Sequence, residues 1–111
     1  MINRHNRCIG LTLFRFRRRK LELWFCPSYE IIPDHVHEHI DSTIIMLAGG
    51  MWGRIGTRSR YVGWLDMFRS FSIPKGVSHS AITGAFAVFA NWEKWDTDDV
   101  TSAAKDFKAV C

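Results

Sequence analysis

A chain of 111 residues that is 47% hydrophobic and 23% charged has the size and composition of one globular domain. Those figures exclude two domains, a repeat array, a collagen-like chain and wholesale disorder, and no run of 18 apolar residues offers a membrane-spanning helix. The formal charge of +4 is unevenly placed: Arg4, Arg7, Arg15 and Arg17 to Lys20 crowd the start, whereas Asp96, Asp98 and Asp99 make the far end acidic.

Cys8, Cys26 and Cys111 are too few and too far apart for a cysteine-based zinc site, and their odd number leaves one thiol unpaired. The expectation is a reduced, cytoplasmic setting, with Cys8 and Cys26 as buried apolar fillers. The first residues hold no apolar stretch followed by a small-residue cleavage site, so no secretory leader is expected.

In chain order, Ile9 to Phe16 and Leu21 to Cys26 flank the basic stretch Arg17 to Lys20 and read as a hairpin with a charged, solvated tip. Tyr29 to Ile32 leads into Pro33, which breaks or edges a strand. Asp34 to Asp41 is a polar strand. Ser42 to Ala48 is a short apolar strand closed by Gly49-Gly50, Met51 to Ile55 continues it, and Gly56 to Arg60 is a loop. Asp66 to Ile73 alternates weakly and ends at the Pro74-Lys75-Gly76 turn. His79 to Ile82 and Ala85 to Trp92 form a last pair of strands, interrupted at Thr83-Gly84. From Thr97 onward Val100, Ala103, Ala104, Phe107 and Val110 recur at helical spacing, which predicts a C-terminal helix capped by Asp96 or Thr97. Many short strands and one terminal helix favour a sandwich or barrel. The chain divides into an N-terminal hairpin over 1–28, a barrel core over 29–95 and a helical tail over 96–111.

The polar strand carries the chemistry. Side chains two apart on a strand share a face, so His35, His37, His39 and Asp41 project together, with Val36, Glu38 and Ile40 opposite. Imidazoles on one face are a ready set of nitrogen ligands for a transition metal, and two of them plus a carboxylate suit non-haem iron. The Pro74-Lys75-Gly76 turn then launches His79 with a fixed orientation, because proline sets φ and glycine allows a positive φ.

These two elements resemble the paired motifs of the cupins. His35-Val36-His37, three residues, Asp41 and then Gly49 match the first motif; Pro74, Gly76 and His79 match the second. The resemblance covers about Glu30 to Trp92. It departs in having Asp41 where glutamate is usual, one extra residue before Gly49, Tyr29 where a glycine is usual, Thr83 where an asparagine is common, and an additional His39. A register slid by one puts Ser42 in the place of Asp41, and His39 is a third alternative for that ligand position.

What the resemblance implies is an all-β, jelly-roll barrel with His35, His37, Asp41 and His79 around one divalent transition metal: Fe, Mn, Ni or Zn. Small single-cupin chains commonly form dimers, so a homodimer is expected. Cupin functions range from dioxygenases and isomerases to non-catalytic ligand-binding modules, so the fold leaves the choice open. The first expectation is a metal-dependent enzyme acting on a small molecule, with a dioxygenase- or isomerase-like reaction. The alternative is a non-catalytic binding or accessory module. Nucleic-acid binding through the basic hairpin ranks below both, and no membrane partner is expected. Among the five tryptophans, Trp52 and Trp92 are the expected pocket residues and the others packing.

Overall fold

A computed structural model of the chain describes residues 2–5, 7–63, 68–98, 100, 106 and 108–109. Nine strands run through them: β1 (Ile2–His5), β2 (Cys8–Phe16), β3 (Arg19–Cys26), β4 (Ile31–Val36), β5 (Ile40–Ile55), β6 (Arg58–Val62), β7 (Ser70–Ile73), β8 (His79–Trp95) and β9 (Lys108–Ala109). All pairings are antiparallel. Two long strands organise the rest. β5 and β8 pair with each other from Ile40↔Trp95 to Ile55↔His79. On its free edge β8 carries β3 along its later half and β4 along its start; β5 carries β7 and then β6. The sheet order β1-β2-β3-β8-β4-β9, with β5, β6 and β7 branching from β8, is a rolled sheet that the described hydrogen bonds do not close into a ring.

The N-terminal hairpin forms as the sequence dictates. β2 and β3 meet at Arg17 and Arg18, with Arg17 at φ 57°. Along β3 the alternation is strict: Lys20, Glu22, Trp24 and Cys26 are buried on one face. The charged tip is therefore not uniformly solvated. Lys20 turns inward against Glu22, with Nζ 3.4 Å from the carboxylate, and Arg18 ion-pairs with Asp98 at 2.8 Å.

Several local expectations are corrected. Gly49-Gly50 does not end a strand; β5 runs through it with register shifts on either side. Gly49 sits at φ +76°, and a Cβ there would collide with the carbonyl of Phe86, so this bulge needs glycine. Thr83-Gly84 likewise lies within β8. Arg58 to Arg60, expected as loop, belong to β6. Pro33 lies inside β4, where the pairing with β8 shifts register between Ile32 and His35; the shift absorbs the missing N–H.

Most of the expected helix over 96–111 lies outside the described residues. Those that are described differ from it: Asp96 to Asp98 form a bend, and Lys108–Ala109 is a strand paired with His35 and Val36. Trp64 also lies outside the described residues.

The core gathers Cys8, Trp24, Cys26, Met46, Met51 and Phe89 from the inward positions of β2, β3, β5 and β8. Cys8 and Cys26, expected as separate fillers, are bonded to each other as a disulfide across the β2–β3 ladder. That pairing removes the argument for a reduced compartment from unpaired thiols. Replacing both cysteines with alanine is expected to cost about 3 kcal/mol from the lost cross-link over a separation of 18 residues. Thermal unfolding should show it as a fall in Tm on the order of 10 °C, and an unchanged Tm, with or without reductant, would contradict it.

Candidate metal centre

The polar strand does not run straight from His35 to Asp41. β4 ends at Val36, residues 37–39 turn, and β5 begins at Ile40. His35 and His37 are buried, while Glu38, His39 and Asp41 are exposed. His35 pairs across the ladder with His79. The turn carrying Pro74 and Gly76 docks on the same loop: the Gly76 N–H donates to the His37 carbonyl at 2.9 Å, and the Lys75 N–H donates to Asp41 Oδ1 at 2.9 Å.

Three imidazoles converge as a result. One ring nitrogen from each of His35, His37 and His79 lies within 4.8 Å of the others. Ring centroids are 4.1 Å apart for His35–His79, 4.8 Å for His35–His37 and 5.0 Å for His37–His79. Each ring places Nδ1 against a backbone carbonyl: His35 on Pro33 at 2.7 Å, His79 on Val77 at 3.1 Å, and His37 on Asp106. A carbonyl only accepts, so Nδ1 carries the proton and a neutral ring keeps its lone pair on Nε2. The Nε2 atoms of His35 and His37 face each other at 3.2 Å. Two acceptors at that separation repel unless a cation lies between them. Two metal–nitrogen bonds of about 2.0–2.1 Å at a tetrahedral angle bring their nitrogens to roughly 3.3 Å. Burial, and then the nearby His37 and Arg54, hold the His79 imidazole down to about 4 against the opposing pull of its Val77 carbonyl bond, so this ring is neutral at physiological pH.

Asp41 stands outside this group. It is exposed, and its carboxylate caps the turn that launches His79 rather than facing the rings. Ser42, its neighbour, is the buried one: it faces the cavity, and its Oγ has no hydrogen-bond partner among the described residues. His39 hydrogen-bonds outward through Nδ1 to Asp96 Oδ1 at 2.9 Å. Among the described residues the donor set is thus three imidazoles, which suits Zn, Fe or Ni better than Mn. Sequence reasoning missed Asp106. Its backbone carbonyl accepts from His37 Nδ1, and its carboxylate accepts from the backbone N–H groups of Glu38 and His39 at 3.4 and 3.0 Å. No local pattern announces it, because it reaches the site from 67 to 69 residues away.

The three rings border a cavity of about 590 Å³. Its body is apolar, with Trp24, Ile44, Met46, Met51 and Phe89. Trp52 and Trp92 are not among its walls: Trp52 is exposed beside Tyr61 and Trp92 stacks on Phe14. Asn91, on the cavity wall, donates to the buried Glu93 at 3.1 Å, and Trp95 Nε1 donates to the other Glu93 oxygen at 3.0 Å. Burial, and then the adjoining Glu22 carboxyl, push Glu93 up to about 10.

No family model and no curated protein matches the sequence. Solved structures do match. KdgF from Halomonas sp. superposes with a TM-score of 0.76 at 12% identity, over 89% of each chain. The Cnp3 cupin domain of Schizosaccharomyces pombe gives 0.72 at 14% identity, over 80% of this chain; this chain spans 61% of that structure. DMSP lyase DddQ from Ruegeria pomeroyi gives 0.72 at 17%, over 86% of this chain and 50% of its own. The chain has the cupin fold. Among the described residues no helix is long and apolar enough to cross a membrane.

Glu93 generates a prediction. A carboxyl protonated in the fold and ionised in the unfolded chain makes the fold bind more protons, so its contribution falls as pH rises from the ordinary carboxyl value toward about 10. Denaturant unfolding over the range from about pH 5 to 9 should show stability declining in the native protein and a flatter profile in Glu93→Gln. Parallel profiles would exclude a neutral Glu93.

Proposed function

We propose that this protein binds one divalent transition metal through His35, His37 and His79 and presents it to a small molecule held in the cavity. The observation that carries the reading is the convergence of the rings: one nitrogen from each of three imidazoles lies within 4.8 Å of the others, and each Nδ1 faces a backbone carbonyl. The backbone bonds do what outer partners do in metal sites, fixing the tautomer and the ring plane. Asp106, at the start of the segment that lays β9 against β4, is a positioning residue for His37. Asp41 positions His79 by holding the turn before it.

Bound to three imidazoles, a zinc, iron or nickel ion supplies a Lewis acid with open coordination positions. The chain's own contribution is to bind and orient the ligand. Ser42 Oγ and Asn91 Oδ1 both border the cavity and lack partners among the described residues, so each suits a polar group on the ligand. The apolar body excludes water from the rest. An enzyme acting on a small molecule is the first reading, and DMSP lyase DddQ is an enzyme by its printed name. One observation favours the second, a non-catalytic binding module. No carboxyl group is among the described residues bordering the cavity, so a general base other than imidazole would have to come from water or the ligand.

The test is metal content of untagged protein by elemental analysis. About one equivalent per chain is expected, with affinity lowered at least about tenfold in His35→Ala, His37→Ala or His79→Ala. Asp41→Asn, which keeps the oxygen that takes the Lys75 N–H, should keep its metal. Full metal retention in His79→Ala would refute the centre, and loss in a folded Asp41→Asn would return Asp41 to the ligand set.

A further inference from the structure

Two residues on the cavity wall carry a buried polar atom with no hydrogen-bond partner among the described residues: Ser42 at Oγ and Asn91 at Oδ1. Ser42 is 4% exposed and Asn91 5%. Both stand on the inward face of the β5–β8 ladder. Asn91 lies directly opposite Ile44, and Ser42 precedes Ile44 by two residues, so the two are diagonal neighbours on one face. Diagonal neighbours have backbones roughly 7–8 Å apart, a gap that the two side chains and one bridging atom can fill. A buried polar atom without a partner is costly to the fold, and two of them side by side on a cavity wall imply an occupant that pairs with both.

The chemistry of the pair specifies that occupant. The Asn91 amide donates through Nδ2 to Glu93 Oε2 at 3.1 Å, and its oxygen can only accept, so it needs an O–H or N–H. The Ser42 hydroxyl rotates to donate or to accept. One hydroxyl group meets both needs at once: its O–H donates to Asn91 Oδ1, and its oxygen accepts from Ser42 Oγ. A carboxylate has no hydrogen to give Asn91 and would be drawn into the neighbourhood of the buried Glu93. A primary amide would bring a second N–H among neighbours that are apolar. Ile44 and Met46 on β5, Ile73 opposite Ser42 on β7, and Phe89 on β8 all border the cavity there.

We propose that Ser42 and Asn91 recognise a neutral hydroxyl group, so that the cavity takes a small alcohol with its O–H between these two side chains and its hydrocarbon body against Ile44, Met46 and Phe89. This deepens the proposed function and rests on it only for the cavity being a ligand site; the hydroxyl subsite needs no metal.

The probes are hexanol, methyl pentyl ether and hexanoate, titrated into the full chain with binding followed by amide NMR shifts. The ether matches the alcohol in size and can accept a hydrogen bond but not donate one. Hexanol should bind at least about tenfold more tightly than the ether, which leaves Asn91 Oδ1 buried and unpaired. That preference should vanish in Asn91→Leu. Ser42→Ala, a smaller change that keeps the bond from Asn91 to Glu93, should weaken hexanol at least about fivefold and leave metal content unchanged. The preference for hexanol should persist in His79→Ala, which separates it from the metal. Equal binding of hexanol and the ether, or no binding of either, overturns the inference and leaves water as the partner of both side chains. Tighter binding of hexanoate than of hexanol overturns it as well, by assigning the ligand's polar end to the arginines that border the cavity. So does a preference kept in Ser42→Ala and Asn91→Leu but lost in His79→Ala, which would assign the hydroxyl to the metal, and so does loss of metal in a folded Ser42→Ala. Metal content of the native chain and of His79→Ala reports on the metal centre separately.

Discussion

The ladder between β5 and β8 is the constraint on which the site depends. It fixes His79 opposite Ile55 at one end and Trp95 opposite Ile40 at the other. Because β8 also pairs with β4 on its other edge, His79 meets His35 directly across that second ladder. One residue is therefore positioned by two strands at once, and its ring direction by the Val77 carbonyl. His37 lies beyond the end of β4, but the Gly76 N–H donates to its carbonyl and its ring Nδ1 donates to the Asp106 carbonyl. The imidazoles converge because the backbone around them is hydrogen-bonded in three directions.

Imidazoles, arginines, apolar side chains, the disulfide and Asn91 line the cavity, while Lys20, Glu22 and Glu93 are buried outside that lining. A buried ion pair is costly unless its surroundings complete it. Here burial and the adjoining Glu22 carboxyl push the neighbouring Glu93 up, and Asn91 and Trp95 hydrogen-bond it. Arg18 and Lys75 on the outside tie the bend after β8 to the rest through Asp98 and Asp96. The same bend leads toward Asp106, whose carbonyl completes the His37 ring.

Much of the fold was legible locally. The β2–β3 hairpin follows from two β-rich runs flanking the basic stretch Arg17 to Lys20, although the strand claims Arg19 and Lys20 from that stretch, and the Pro-x-Gly turn before His79 follows from the φ preferences of its residues. Other features misled for physical reasons. Glycine pairs punctuate strands in most contexts, yet Gly49-Gly50 lies at a bulge that bends one continuous strand around the core. A period of two, extended from His35 to Asp41, assumes an unbroken strand. The chain turns at residues 37–39, which flips the register so that Ser42, not Asp41, faces inward. The helical spacing after Thr97 competes with pairing to the exposed edge of β4, and at Lys108–Ala109 pairing prevails.

The sequence by itself determined which residues have metal-binding chemistry, that strands would present them, and that a stiff turn would aim His79. Residue type and short-range φ preference carry that information, and both are local. Only the tertiary structure decided which of the candidates meet. That Asp41 caps a turn, that Asp106 anchors a ring, that Cys8 bonds Cys26 and that Arg58 and Arg60 border the same cavity as the histidines all depend on contacts between segments far apart in the chain. Register between distant strands sets those contacts, and register is a property of the folded sheet rather than of any stretch of sequence.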